Sequence, residues 1–407
     1  MPPTGAEGER RAAVLPADAH ETTHPSRPLP VDVVPHLDPA ATPLRVYLPS
    51  VGRAHVARVG RAVSGAAVDG VRVRAAYSIK TNPDPRLLAA VRDDGFHVEA
   101  ISQSEVEHAV AAGFAPHRIV LNGPAKWWPA PVTPGPFGAV FCDSVEELRE
   151  TADRPHGGAP VAGVVGVRVR PPGVTSRFGV ELHDPSVLDA VVGSLSRLRP
   201  DVRLGLHVHV PPRDVGAPRW WELVDGVVRA AAELESRSGR AVRCLDLGGG
   251  WEPADLLDGM LPRLRRTLGG VRRRLERLDE VLLEPGRAVA QPLVALVTRV
   301  LAVRSAAAWT DVVVDASIAD VPEIGRTAHD WWLARPGHRV PVLAGGGGRV
   351  LGRTCMETDV LHDRLRVPDG TRAGDVLVIT DVGAYDTSKS YRFGRGDARR
   401  PVDVTEV

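Results

Sequence analysis

Between residues 44 and 283 the chain repeats one pattern: a short apolar run, then a longer stretch with apolar residues three to four positions apart. The short runs fall at 71–77, 97–101, 118–121, 139–142, 163–169, 203–210, 242–247 and 281–283 and read as strands. The stretches between them, such as 84–94, 104–112, 144–152, 185–198, 220–238 and 260–278, carry the period of amphipathic helices. Eight β-α units in one run predict a (β/α)8 TIM-type barrel, whose chemistry would sit at the C-terminal ends of the strands. After residue 292 the texture changes. Apolar runs at 293–303, 311–314, 339–343 and 376–379 are separated by Gly, Pro and Asp, and long helical patterns become sparse. A second, mostly-β domain follows from that change. The expected division is a disordered tail over 1–40, a barrel over 41–291 and a C-terminal β domain over 292–407, which a strand near 30–50 is free to join. The glycine run 345–348, inside the β-rich region, reads as a flexible loop.

Composition narrows the partners. With 51 basic and 50 acidic residues, the chain has no electrostatic footprint for nucleic acid or an anionic membrane, so a small-molecule partner is expected. The cysteines, Cys142, Cys244 and Cys355, are odd in number and widely spaced, which suggests neither a disulfide framework nor a zinc cluster and fits a reducing compartment. Residues 1–28 are rich in Pro, Ala, Glu and Arg and lack an apolar core, against a secretory signal. No run approaches the roughly 20 apolar residues of a membrane helix. A cytoplasmic protein is expected.

Only three lysines stand among the 51 basic residues. Lys80 follows the first predicted barrel strand, where a lysine does what arginine cannot: lose its proton, attack a carbonyl and hold it as a Schiff base. Asp246-Leu247-Gly248-Gly249-Gly250 follows a later strand, and glycines there let backbone N–H groups approach a phosphate. Glu284-Pro285-Gly286-Arg287 ends the eighth strand with a carboxylate and a guanidinium on one turn. His207 and His209, two apart on a strand, share a face; with no third ligand evident nearby, they read as neutral core or stacking histidines, and no metal is expected. Cys355 in isolation is a structural thiol, and Tyr385 in Gly383-Ala384-Tyr385 a strand-end aromatic.

The order of motifs, Tyr77-Ser78-x-Lys80-x-Asn82, Asn122-Gly123-Pro124-x-Lys126, Ser176-Arg177-Phe178-Gly179, Leu206-His207-x-His209, the glycine triplet, Glu284-Pro285-Gly286-Arg287, Gly352-Arg353-x-Cys355 and Gly383-Ala384-Tyr385, resembles the ornithine/diaminopimelate decarboxylase family of fold type III pyridoxal-phosphate enzymes, nearest its diaminopimelate branch. The resemblance runs from about residue 43 to 392. It implies an alanine-racemase-like barrel, pyridoxal 5'-phosphate as cofactor and decarboxylation of an amino acid. It also implies that Lys80 holds the cofactor, Glu284 pairs with the pyridine nitrogen and His209 stacks on the ring. Gly248, Gly249, Gly250, Arg287 and Tyr385 match the phosphate cradle, and Glu99 stands where the family has an aspartate. Cys355 matches a proton donor supplied across a homodimer interface, with Asp359, Arg177, Met356 and Glu357 near the substrate. An amino-acid racemase on the same fold, or a catalytically inactive regulatory homologue, is the alternative. Glu284 weighs against the racemase, because alanine racemases place an arginine at the pyridine nitrogen.

Three departures from the family pattern bear on the substrate. Val210-Pro211-Pro212 follows His209 where the family continues Gly-Ser, so a phosphate-binding hydroxyl is missing and two prolines remove backbone donors. Met356 stands where diaminopimelate decarboxylases have a glutamate after the cysteine, and 318–324 replaces their Arg-Pro-x-x-Tyr stretch. Substrate other than diaminopimelate is therefore expected, with Glu357, Asp320, Glu323 and Arg326 as candidate readers. Trp127-Trp128, Trp220-Trp221 and Trp331-Trp332 read first as core packing and otherwise as an aromatic-lined pocket.

Overall fold

The computed structural model describes residues 28–124, 126, 135–153, 161–306, 309–393 and 402–403. The expected tail up to residue 27 and the pair Trp127-Trp128 lie outside the described residues. Residues 31–36, within the stretch expected to be tail, form a 3-10 helix. Strand β1 (Leu44–Tyr47) follows, then eight strands: β2 (Arg72–Ser78), β3 (His97–Ala100), β4 (Ile119–Leu121), β5 (Phe137–Cys142), β6 (Ala162–Arg168), β7 (Arg203–His207), β8 (Val242–Gly249) and β9 (Glu280–Glu284). These eight pair in parallel, each with the next, and β9 returns to β2, so the barrel closes. Each expected barrel strand is present.

The chain divides into two compact units, one over Leu48–Leu293 with Gly383–Ser388, the other over the remaining residues. In the barrel unit Ala76, Val120, Ala139, Phe141, Val164, Cys244 and Leu282 form a buried cluster. The Phe141 ring claims space that only a glycine leaves free: a Cβ on Gly205 would lie 2.9 Å from it. Local signals start the helices. Asp84 and Asp184 accept N–H bonds from the first turns of Pro85–Asp93 and Pro185–Leu195, each with proline at its first position. At Gln103–Ala111 the Ser102 hydroxyl accepts the Glu105 N–H, and the Glu105 carboxylate accepts the N–H of Ile101, one residue before the cap. The 17-residue helix Pro49–Gly65, not among the elements expected, precedes β2 and buries Val56, Val59 and Val63.

The second unit holds β1 with β10 (Val294–Ala306), β11 (Trp309–Val314), β12 (Trp331–Arg335), β13 (His338–Leu351), β14 (Val360–Arg366), β15 (Val376–Ile379) and β16 (Val402–Asp403). They form one sheet in the order β11-β13-β12-β15-β10-β1-β16, with β14 on β13. Its core gathers Leu296, Val314, Trp331, Leu333, Leu361 and Ile379, so Trp331 packs as expected of a core tryptophan. The glycine run 345–348 corrects the loop expectation. It lies within β13, and β14 approaches so closely that a Cβ on Gly346 would sit 2.3 Å from the Leu365 carbonyl oxygen. Glycine is required there by backbone contact rather than by flexibility.

Candidate active site

The chemistry gathers at the C-terminal ends of the barrel strands. Lys80 sits on the turn Ile79–Thr81 directly after β2. Its Nζ pairs with the carboxylate of Glu99 on β3, which is 1 % exposed, while the lysine side chain keeps 26 % of its surface accessible. Burial would lower the ammonium's pKa, but Glu99, Glu284 and Tyr385 outweigh it and hold the group above the ordinary lysine value. In this state the amine is a stored cation, and nucleophilic use requires that it shed a proton.

Glu284 ends β9 and is buried. Asn122, just past β4, donates Nδ2 to its Oε1, His209 Nδ1 lies 3.1 Å from Oε2, and His207 Nε2 lies 3.5 Å from Oε1. Burial alone would raise this carboxyl, but the neighbouring His207, His209 and Lys80 hold its pKa below the ordinary range, so it is ionised near neutral pH. The Gly249 N–H also points at His209 Nδ1, 3.2 Å away. A ring proton on Nδ1 serves the charged carboxylate, which is the stronger of the two contacts. Burial pushes His207 well below its usual pKa and keeps it neutral, as expected of a core histidine. His207, His209 and Glu284 place one ligand atom each within 4.8 Å of one another, a donor set that sequence spacing did not reveal because Glu284 lies 75 residues beyond His209. Among the described residues the Lys80 ammonium and the Arg168 guanidinium both lie close enough to this carboxylate to interact with its charge.

Asp246 on β8 completes the cluster. It is fully buried, accepts the Gly248 N–H at 2.9 Å, and burial together with the Glu284 charge raises its pKa well above the carboxylate range. Folding therefore takes up a proton at Asp246. A raised carboxyl is fully favourable only below its unfolded pKa of 3.8 and costs progressively more stability as pH rises above it. Asp246→Asn keeps the acceptor for Gly248 and removes this cost. It is expected to raise Tm at pH 7, by about 2–4 °C per kcal/mol relieved, with no difference from wild type below about pH 4; a pH series of thermal melts measures both.

The glycine triplet closes β8, and Arg287 lies in the short helix Gly286–Ala290 that follows the neighbouring strand β9. A register shift after Asp246 brings Gly249 opposite Glu284, so close that a Cβ on Gly249 would meet the Glu284 carbonyl oxygen at 2.1 Å. Gly248 has φ +69°, which favours glycine. Arg287 is buried, its guanidinium 5.3 Å over the Tyr385 ring. Tyr385 itself holds a left-handed φ of +68° and donates its N–H to Thr81, while Ser388 Oγ donates to the Lys80 carbonyl. Segment 383–388 is thereby tied to the turn that carries Lys80.

Lys80, Glu99, His209, Gly248, Gly249, Gly250, Glu284, Arg287 and Tyr385 thus converge on one end of the barrel. Arg177 is exposed, its guanidinium 4.2 Å from the Phe178 ring, which Arg168 also approaches at 4.7 Å. Cys355 and Glu357 are exposed on the loop before β14, with Met356 half-buried. Asp359 turns inward: 3 % exposed, it accepts N–H bonds from Ile318 and Thr354 and the Thr354 hydroxyl, so its carboxylate is used to shape that loop. Asp320 likewise accepts from Ser317, and Glu323 pairs with Lys389 at 2.8 Å. Asn122, His207, Asp246 and Glu252 had no assigned role from sequence. Glu252 Oε1 lies 3.6 Å from Arg287 Nε.

This donor set fits pyridoxal phosphate: an amine, a buried anionic partner for a ring nitrogen, an imidazole, and glycines with an arginine for a phosphate. Buried polar atoms without a hydrogen bond among the described residues cluster here too: both His207 nitrogens, Asn122 Oδ1 and Asp246 Oδ2.

A parallel barrel with an amine at one strand end and a buried carboxylate at the neighbouring one has the layout of an enzyme site at the C-terminal ends of barrel strands. Residues 55–291 match the pyridoxal binding domain of the pyridoxal-dependent decarboxylases, and the chain belongs to that family of amino-acid decarboxylases. Its relatives include the diaminopimelate decarboxylase of Actinosynnema pretiosum, 29 % identical over 76 % of this chain and 73 % of that one. The L-glutamyl-[BtrI acyl-carrier protein] decarboxylase of Niallia circulans is 27 % identical over 77 % and 78 %. Among solved structures, the diaminopimelate decarboxylase of M. jannaschii with L-lysine superposes with a TM-score of 0.69 over 86 % of this chain and 84 % of that one, at 20 % identity, and shares the fold. Among the described residues no helix is long and apolar enough to cross a membrane.

Proposed function

We propose that this chain binds pyridoxal 5'-phosphate through Lys80 and decarboxylates an amino acid whose distal end differs from that of diaminopimelate. The observation that carries this reading is the Lys80 amine beside Glu99, with the buried, ionised Glu284 at the end of the adjacent strand. When bound, the cofactor supplies an aldehyde for the amine and a ring that accepts the electron pair left by departing CO2. Lys80 must first lose a proton, and Glu99, already in contact with Nζ, is the base in place to take it. Glu284 holds a proton at the pyridine nitrogen, and neutral His207 and Asn122 fix the direction of its carboxylate. Gly248 to Gly250 and Arg287 bind the phosphate, after Arg287 turns from Glu252.

Loss of the glutamate after Cys355 and of the Arg-Pro-x-x-Tyr stretch removes the partners for a distal ammonium and carboxylate. A site built for such hydrogen bonds discriminates steeply against substrates that no longer match it. The reading is supported by relatives named both for diaminopimelate and for an L-glutamyl-acyl-carrier protein, whose distal ends differ. The deciding experiment offers the cofactor-loaded protein a pool of amino acids, D-isomers included, in D2O, read by mass spectrometry. Loss of CO2 from one member names the substrate. Deuterium at Cα with the carboxylate retained overturns the decarboxylase reading in favour of a racemase.

We place the exposed Cys355 as the proton donor to the Cα carbanion in the site of a second copy, in a homodimer. Cys355→Ala is expected to slow CO2 release or amine formation by about 10²-fold, the usual contribution of a general acid. Unchanged rate and product with Cys355→Ala would remove that role.

A further inference from the structure

Val210-Pro211-Pro212 removes a phosphate-binding hydroxyl, and the residues around that gap are charged. Pro211 packs on the glycine triplet so closely that a Cβ on Gly250 would lie 2.6 Å from the Pro211 Cβ. The chain then turns at once into the short helix Pro212–Val215, which carries Arg213 two residues beyond that contact. Arg213 Nε lies 3.5 Å from Asp214 Oδ1, an exposed pair that holds the guanidinium only weakly.

On the other side of the triplet stands Glu252, two residues past Gly250. Its carbonyl accepts the Leu256 N–H, a task that any residue performs. Its side chain turns instead to Arg287, with Oε1 3.6 Å from Nε, longer than a hydrogen bond. Burial raises the Glu252 pKa, and the Arg287 and Arg213 charges oppose that rise, joined by the Gln291 side chain, while Asp255 adds to it. Both cations therefore act on one carboxylate beside the glycine triplet.

We propose that Glu252 is a built-in competitor for the cofactor's phosphate, sharing Arg287 and Arg213 with it, and that Arg213 replaces the missing hydroxyl as a phosphate ligand. The inference rests on the cofactor reading above. Arg287 is 3 % exposed, and a buried guanidinium needs a counter-charge before any phosphate arrives; Glu252 supplies one. A phosphate ester brings more charge than a carboxylate and three acceptor oxygens, which suit two guanidinium forks. Glu252 is 29 % exposed and holds Arg287 at more than hydrogen-bond distance, so its side chain turns outward to solvent at small cost.

The test titrates the full chain with pyridoxamine 5'-phosphate by isothermal titration calorimetry. This ligand lacks the aldehyde and so binds without reacting with Lys80; pyridoxamine is the phosphate-free control. Glu252→Gln keeps the side chain's length and removes its charge, and is expected to bind the phosphate ester about fivefold tighter, the scale of a partly exposed ion pair. Glu252→Ala should do the same. Arg213→Gln should bind it about tenfold more weakly, as loss of a charged donor to phosphate implies. Pyridoxamine should bind wild type and all three variants alike, and circular dichroism should show all of them folded. Unchanged affinity for the phosphate ester in both Glu252 variants, or in Arg213→Gln, overturns the proposal while leaving the cofactor reading in place. So does an equal gain for pyridoxamine, which would put the effect of Glu252 at the ring. Failure of folded wild-type protein to bind the phosphate ester overturns the cofactor reading and this inference together.

Discussion

Lys80→Ala is expected to abolish the visible absorbance of the cofactor-loaded protein and to lower CO2 release by at least about 10³-fold, the scale seen when a group acting in the chemical step is removed. Borohydride treatment followed by peptide mass spectrometry gives a readout independent of turnover. Wild-type protein should carry the reduced cofactor mass on the peptide containing Lys80, and the variant on none. The same substitution has a structural consequence, because Glu99 is buried and loses the cation that balances it. Destabilisation of about 1–3 kcal/mol is expected, less than for a fully buried pair because Lys80 is partly exposed. Lys80→Arg separates the two effects. Arginine restores the charge beside Glu99 and much of the stability, yet its guanidinium stays protonated and cannot attack a carbonyl, so absorbance and mass label should remain absent. If Lys80→Ala protein still showed the absorbance band, another residue would hold the cofactor.

Linkage fixes the pH behaviour of the cofactor-free protein. The Lys80 pKa is raised, so its contribution to stability is complete below the ordinary value of 10.5 and is lost as pH rises through the folded value. Glu284 runs the other way: its lowered pKa gives stability that is present above the ordinary 4.5 and lost in acid.

The barrel was legible because each strand is a short apolar run bounded by turn residues, and buried parallel strands need little else. Helix Pro49–Gly65 was less legible because its buried face is built from Val56, Val59 and Val63, and β-branched residues blur the helical signal. In the β unit, Trp331–Arg335 and Val360–Arg366 mix arginines, histidine and aspartate with apolar residues, since one face of each strand is accessible. Lys80 and Glu284 stood out by their strand-end positions, whereas the role of His209 came from the resemblance alone. Their partners were not. Asn122 reaches Glu284 across 162 residues, and Asp246 gains its proton from burial beside the same carboxylate, facts fixed by barrel closure rather than by any local pattern. Asp359, which the resemblance places near the substrate, gives its carboxylate to the Ile318 and Thr354 N–H groups within this chain, contacts that no local pattern announced.

Glu284→Gln is expected to leave the cofactor on Lys80 but lower the rate of CO2 release by about 10²–10³-fold, the cost of removing one preorganised charge from a water-poor site. Glutamine keeps an oxygen for Asn122 and the volume of the side chain, so the change is chiefly one of charge. Without the anion, a proton at the pyridine nitrogen loses its counter-charge, while His207 stays neutral and Lys80 cationic. Retention of the borohydride-fixed mass on Lys80, together with a fallen rate, distinguishes this role from one in binding. Asp246 supplies a second readout that catalysis does not influence. Its raised pKa owes its largest part to burial and the next to the Glu284 charge, so the variant should bring that pKa down. The loss of stability with rising pH above 3.8 should then stop at a lower pH and be smaller in total. A rate unchanged by Glu284→Gln would show that the pyridine nitrogen is held by some other group, and a pH–stability profile identical to wild type would show that the two carboxyls are not coupled.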